Sequence, residues 1–480
     1  MDKNQTLTFV GPVIDNSVIP TLCEYITIPN LSPSFDSAKT SDKECEKVIS
    51  LFVNWVKQQQ VEGLQISVRR LEKGTPLIFI DVPESPGNCE SGAILMYGHM
   101  DKQPPFEGWE PDLGPYKPVI KNGRLYGRGG ADDGYAIFSS ICAIKAIQLQ
   151  KQSHSRCVIL IEASEESGSP DLMTHVSSLI SEKLVSDITL VICLDSGSGD
   201  YKRLWLTTSL RGILVANVKI TTLREGVHSG NAGGIASDSF RILRHLLDSI
   251  ENSTTAQIIN DFQVNVPSGR QDEIKQLCDI LGDQVWDTLP LVNNVPLRSD
   301  KNLPELVLNN TWRASLTVTG QEGLPPCATG GNVLRPSTTL KLSLRLPPTY
   351  DHTLALTKLQ EKLSSACPPD ATLEITQGHG APGYDAPVTS AWLANCLSEV
   401  SRNFYGYDYA SMGCGGTIPF MGMLGSMFPA AQFVITGLLG PESNAHGPNE
   451  FLDIEFCKKL TCCIAHIVAE HRKVGKLARA

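Results

Sequence analysis

Histidines and clustered carboxylates recur in five short segments of the chain. They are Tyr97-Gly98-His99-Met100-Asp101, Gly127-Arg128-Gly129-Gly130-Ala131-Asp132-Asp133-Gly134, Glu162-Ala163-Ser164-Glu165-Glu166-Ser167-Gly168, Cys193-Leu194-Asp195-Ser196-Gly197 and Glu442-Ser443-Asn444-Ala445-His446-Gly447-Pro448-Asn449-Glu450. Each alone has a structural explanation. His99 suits a hydrogen-bonded turn, Asp132–Asp133 a helix N-cap, Glu165–Glu166 a solvated loop and Asp195 a turn. Together they are harder to explain that way, because converging carboxylates repel unless a cation lies among them. Two histidines with three or more carboxylates suit Zn²⁺, Mn²⁺ or Co²⁺, since imidazole is a poor ligand for Ca²⁺ or Mg²⁺.

The elements before these segments bring them together. Ala93–Tyr97, Val158–Ile161 and Ile188–Leu194 are apolar runs of strand length, and Tyr135–Leu149 carries apolar residues at helical spacing. That β-α-β alternation predicts an α/β fold, with a mainly parallel sheet covered on both faces. Ligands of such sheets bind beyond the carboxyl ends of the strands, where the five segments would converge. After Arg211–Gly212 the pattern changes. Ile213–Thr221, Glu305–Val318 and Thr339–Leu346 alternate as half-buried strands, while Ala236–Ile250 and Leu354–Ser364 read as helices. Gly378–Pro387 reads as a connector. A helix over Thr389–Phe404, a strand at Gln432–Ile435 and a final helix from Phe451 restore the α/β character. The expected organisation is a catalytic domain over 1–212 and 381–480, interrupted by an inserted α+β lid and dimerisation domain over 213–380.

The five segments, in this order, resemble those of the carnosinase–carboxypeptidase G–aminoacylase family of two-metal hydrolases. The resemblance covers nearly the whole chain and is nearest to the cytosolic non-specific dipeptidases within that family. Gly226-Val227-His228-Ser229-Gly230, Leu344-Arg345-Leu346-Pro347 and Gly415-Gly416-Thr417-Ile418-Pro419 add to it. The resemblance implies two divalent ions per chain, Zn²⁺ or Mn²⁺, for which Co²⁺ can substitute. Asp132 would bridge them, with His99 and Asp195 on one metal and Glu166 and His446 on the other. A metal-bridging hydroxide would be the nucleophile and Glu165 the general base. Asp101 would orient His99, and the Asp132–Asp133 peptide would be cis. His228 would stabilise the oxyanion, reaching the metals of the partner subunit in a homodimer built through the lid.

Arg345, Gly416 and Thr417 would hold the substrate's terminal carboxylate, for which a guanidinium fork is well shaped. Thr417 stands where the dipeptidases carry Ser, and the hydroxyl is kept. Asn332, in Gly330-Gly331-Asn332-Val333-Leu334, stands in a segment where the dipeptidases have a threonine contact. Carboxypeptidase members of the family carry Glu at position 195, so Asp195 implies a substrate with a free amino terminus. The expected activity is hydrolysis of dipeptides or other short peptides. The alternative is an amidohydrolase acting on N-acyl amino acids.

Composition narrows the partners. With a net charge of −10 the chain offers no basic stripe for nucleic acid. No apolar run approaches the ~20 residues of a membrane helix, and Met1–Val10 lacks a basic-then-apolar leader. The 14 cysteines follow no disulfide framework. These features predict a cytoplasmic protein with reduced thiols.

Overall fold

A computed structural model describes residues 1–36, 41–87, 91–289, 291–292 and 302–475. The chain forms two compact units: Met1–Thr208 with Ala386–Met412 and Met423–Ala480, and Ser209–Asp385 with Gly413–Gly422. The second unit thus takes in Gly413–Gly422, which the 213–380 boundaries leave outside.

The first unit is built on a six-stranded sheet in the order Gln65–Arg69, Leu77–Val82, Arg156–Glu162, Ala93–His99, Ile188–Cys193, Gln432–Ile435. The last four strands are mutually parallel, and the first two run antiparallel along one edge. The fold class is therefore the expected α/β one. Every residue of Ala93–His99 is buried, the mark of a parallel strand covered on both faces. Helix Ala136–Leu149 is also buried nearly all round, and it packs on the long C-terminal helix Ile454–Val474. Phe138 meets Phe52 and Trp55 edge-on, with ring centroids 5.1 and 4.7 Å apart. Burying each large apolar side chain of this kind contributes about 1.5–3 kcal/mol. The register pairs His99 with Glu162 and Tyr97 with Cys193. Neighbouring strands therefore end level with one another, and the loops after them share one edge.

The second unit is α+β. Its antiparallel sheet runs Ser315–Glu322, Ser337–Leu346, Gly212–Thr221, Thr372–Ala381. Burial alternates residue by residue along Gly212–Thr221. Leu214, Ala216, Val218 and Ile220 face Leu243 and Leu246 of helix Ser239–Asp248 and Leu359 and Leu363 of helix His352–Ala366.

Three local expectations are corrected. Glu305–Val318 is not one strand: Leu303–Thr311 is a helix, capped by the Asn302 side chain accepting from the Glu305 amide, and the strand begins at Ser315. The cap and a proline in the first turn outweigh a short apolar alternation. Gly378–Ala381 belongs to a strand rather than a connector. A bulge after Thr376 restores pairing at His379 with Val215. The last helix begins at Ile454, capped by Asp453, after a short strand Phe451–Asp453 paired with Arg124–Tyr126. The strands Gln65–Arg69 and Leu77–Val82 had not been foreseen. Among the described residues no helix is long and apolar enough to cross a membrane. Thirteen cysteines are described and all are free.

Candidate active site

His99 is the last residue of its strand and is buried, as is Asp101. Gly98 lets the Asp132 loop close on this strand, because a Cβ there would lie 2.4 Å from Ala136 Cβ and 2.6 Å from Asp133 Oδ2. Asp133 Oδ2 accepts from the His99 amide at 3.3 Å, and the Asp132–Asp133 peptide is cis. The Asp132 carboxylate lies between two imidazoles. Its Oδ1 is 3.2 Å from His99 Nε2, and its Oδ2 is 3.1 Å from His446 Nε2. His99 Nε2 is also 3.8 Å from Asp195 Oδ1, and His446 Nε2 is 3.3 Å from Glu166 Oε2. Donor atoms of His99, Asp132 and Glu166 lie within 4.8 Å of one another, as do those of His99, Glu165 and Asp195.

Glu165 and Glu166 sit on a single turn after strand Arg156–Glu162. Asp101 fixes that turn, its carboxylate accepting from the Glu165 amide at 3.2 Å and the Glu166 amide at 3.1 Å. Its Oδ1 is 3.5 Å from His99 Nδ1, an ion-pair approach longer than a hydrogen bond. Gln103 Nε2 donates to Glu166 Oε2 at 2.6 Å.

Crowded negative charge shows in the proton affinities. Burial, then Asp195, pushes the Glu165 carboxyl well above its ordinary range, and the same two causes act on Asp133. Burial, then Asp132, raises Glu166. Burial opposes a charge on His446, but contacts with Asp132 and Glu166 outweigh it and raise the imidazole to about 11. This site attracts positive charge, and its imidazole and carboxylate donors fit transition-metal or zinc dications.

The sequence reading overlooked two basic residues that hold these loops. Arg128 pairs with Glu450 inside the protein. Arg128 Nη2 donates to the Gly447 carbonyl at 2.9 Å, and Glu450 Oε1 accepts from the Gly129 amide at 2.9 Å. The Asp132 and His446 loops are thereby fastened to each other. Lys102, fully buried beside Asp101, donates to the carbonyls of Tyr25 and Ile28 at 2.7 Å, at and just past the end of helix Ile19–Ile26. Burial pushes its amine well below the usual lysine range. Both residues lie inside the quoted motifs or next to them. A charged residue that must be buried and paired was the available signal.

The second unit holds the other expected residues. Arg345 Nη1 donates to Thr417 Oγ1 at 2.7 Å, so this expected pair is in contact. The Gly416 amide lies 3.4 Å from Cys414 Sγ. His228 is exposed and accepts from the Gly230 amide through Nδ1 at 3.1 Å. The Asn332 carbonyl accepts from the Ser229 amide at 3.0 Å, where Val227–His228 pairs with Val333–Leu334.

With this geometry in view, comparison with known proteins identifies the class. The profile of Peptidase family M20/M25/M40 matches residues 95–470, and the chain belongs to that family. It is 27% identical to a cysteinylglycine-S-conjugate dipeptidase of Corynebacterium striatum over 387 residues, covering 78% of this chain and 80% of that one. It is 24% identical to the Cys-Gly metallodipeptidase dug1 of Schizosaccharomyces pombe over 462 residues, covering 93% and 94%. The crystal structure of human carnosine dipeptidase 1 shares the fold, with a TM-score of 0.76 at 20% identity, covering 98% of this chain and 100% of that one.

Proposed function

We propose that the protein is a two-metal dipeptidase, hydrolysing dipeptides or other short peptides that carry a free amino terminus. The observation that supports this most is the Asp132 carboxylate, with one oxygen beside His99 and the other beside His446. In this reading His99, Asp132 and Asp195 would hold one ion, and Asp132, Glu166 and His446 would hold the other. Zn²⁺ or Mn²⁺ there, or Co²⁺ in substitution, would lower the pKa of a water toward neutrality and polarise the scissile carbonyl.

Glu165 takes the proton of the attacking water and passes it to the leaving amine. Burial and the charge of Asp195 raise the proton affinity of Glu165, the direction that suits a group that must take up a proton. Asp101 keeps Glu165 and Glu166 in register through their amides. Arg345, Thr417 and Gly416 receive the terminal carboxylate, with Asn332 as a further polar contact. His228, supplied by the partner's lid in a homodimer, donates to the oxyanion. The free thiols of the described cysteines support a cytosolic setting.

The test is metal analysis combined with a substrate panel. Chelation should abolish activity, Zn²⁺, Mn²⁺ or Co²⁺ should restore it, and dipeptides should be cleaved in preference to N-acyl amino acids. Full activity in a preparation shown to be metal-free refutes the two-metal reading. A preference for N-acyl amino acids refutes the peptidase assignment.

A further inference from the structure

Arg211 lies at the point where the sequence pattern changes, and neither the metal site nor the proposed carboxylate contacts use it. It is buried, yet its partners are all neutral. Its Nε donates to the Gly415 carbonyl at 3.0 Å. Its Nη1 reaches Ser315 Oγ at 2.8 Å and the carbonyls of Arg313 and Asn309 at 3.2 and 3.4 Å. Its backbone holds the same loop, the amide donating to the Cys414 carbonyl at 3.3 Å and the carbonyl accepting from Thr417 Oγ1 at 2.5 Å.

Strand register explains the convergence. Ser315 and Ile213 both pair with Arg345, from opposite sides of its strand. Arg211 therefore lies just beyond the last pair of that ladder, Gly212 with Leu346, two residues from the position opposite Arg345. Gly212 permits that turn, since a Cβ there would stand 2.9 Å from both the Ala381 carbonyl and the Gly383 amide. Neither Arg211 nor Arg345 has a carboxylate partner among the described residues. Burial, then the charge of Arg345, pulls Arg211 down to about 10, so its guanidinium remains charged at neutral pH.

From these contacts we infer that Arg211 is the positioning residue of the carboxylate site, fixing the 414–417 loop so that Thr417 can only accept from Arg345. The inference rests on the proposed role of Arg345 and Thr417. The Thr417 hydroxyl has one proton, and the Arg211 carbonyl takes it. The hydroxyl oxygen is then left to accept from Arg345 Nη1, which orients the guanidinium fork. The remaining Arg345 donors face an anion at a site whose two positive charges have no internal counter-charge. Arg211 does not itself touch substrate.

The experiment compares a dipeptide with its C-terminal amide, on metal-loaded parent and Arg211→Met enzymes. The expected result is that Arg211→Met raises KM for the acid by about 10–100-fold, the worth of charge-assisted hydrogen bonds set out of line. Its metal content, its kcat, and its kcat/KM on the amide should match the parent. Ser315→Ala removes one Arg211 acceptor without removing the charge, and should raise KM for the acid by a smaller factor, about 3–10-fold. Ser315→Ala carries the test if Arg211→Met does not fold. A parent that prefers the acid, with variants that prefer it equally, overturns the inference alone. A parent that cleaves acid and amide alike overturns the carboxylate role of Arg345 and Thr417, and with it the inference.

Discussion

Arg128→Met tests whether the buried pair with Glu450 holds together the loops of the proposed metal ligands Asp132 and His446. Arg128 and Glu450 are 1% and 0% exposed, so solvent screens little of their interaction. Removing one partner of a buried ion pair costs about 3–5 kcal/mol, because the other charge stays buried without compensation. At about 2–4 °C per kcal/mol for a unit of this size, the melting temperature should fall by roughly 6–20 °C. The loss should depend on pH. Burial raises the Glu450 carboxyl to about 7, against the pull of Arg128. A carboxyl raised in the folded state is protonated at low pH whether folded or unfolded, and there it costs nothing. As pH rises from its unfolded value, near 4.3, the unfolded state ionises first and stability falls until the folded group ionises as well. Without Arg128 the folded value rises further and that decline continues past pH 7. Melts of parent and variant should therefore lie closer at pH 6 than at pH 8.5. Adding Glu450→Gln, which keeps an acceptor for the Gly129 amide but removes the charge, should recover part of the loss. Equal losses at the two pH values, or strictly additive single and double variants, would refute the argument.

Two further predictions address the proposed reaction. Glu165→Ala should lower turnover by about 10²–10⁴-fold while leaving two metals per chain, whereas Glu166→Ala should lose one metal. Parental turnover in Glu165→Ala would remove it as the base. Co-expressed His228→Ala and Glu165→Ala chains, purified as the heterodimer, should regain up to about half of the parental activity per dimer, because one site then carries both defects and the other neither. An inactive heterodimer would reject a histidine supplied by the partner.

The α/β class was legible because a buried parallel strand has few ways to be written. Ala93–Tyr97 is a continuous apolar run and Ile188–Cys193 is broken only by Thr189, and both are strands of the central sheet. Gln65–Arg69 lies on the antiparallel edge of the sheet, where half-exposed residues weaken the pattern. The stretch Leu303–Thr311 misled for a related reason. Its apolar positions fit either period over so few residues, and the Asn302 cap decides the outcome.

The site divides along the same line between local and distant determinants. His99, Asp132, Glu165, Glu166 and Asp195 each follow a strand or precede a helix within a few residues, so neighbouring sequence announces where they must lie. The structure draws them together with His446, whose loop comes from the far end of the chain. The residues that fasten these loops carry no such local mark. Arg128 and Glu450 stand 322 positions apart, and Arg211 reaches Gly415 across 204. Nothing near either arginine in the chain names its partner. What they share is the physical cost of burying a guanidinium, which obliges the fold to surround it with acceptors. In one case the acceptors lie in the loop of His446, a proposed metal ligand, and in the other they include the loop proposed to receive the substrate's carboxylate. A buried arginine inside or beside a recognised motif therefore directs attention to loops that must be held in register, even before its partners are known.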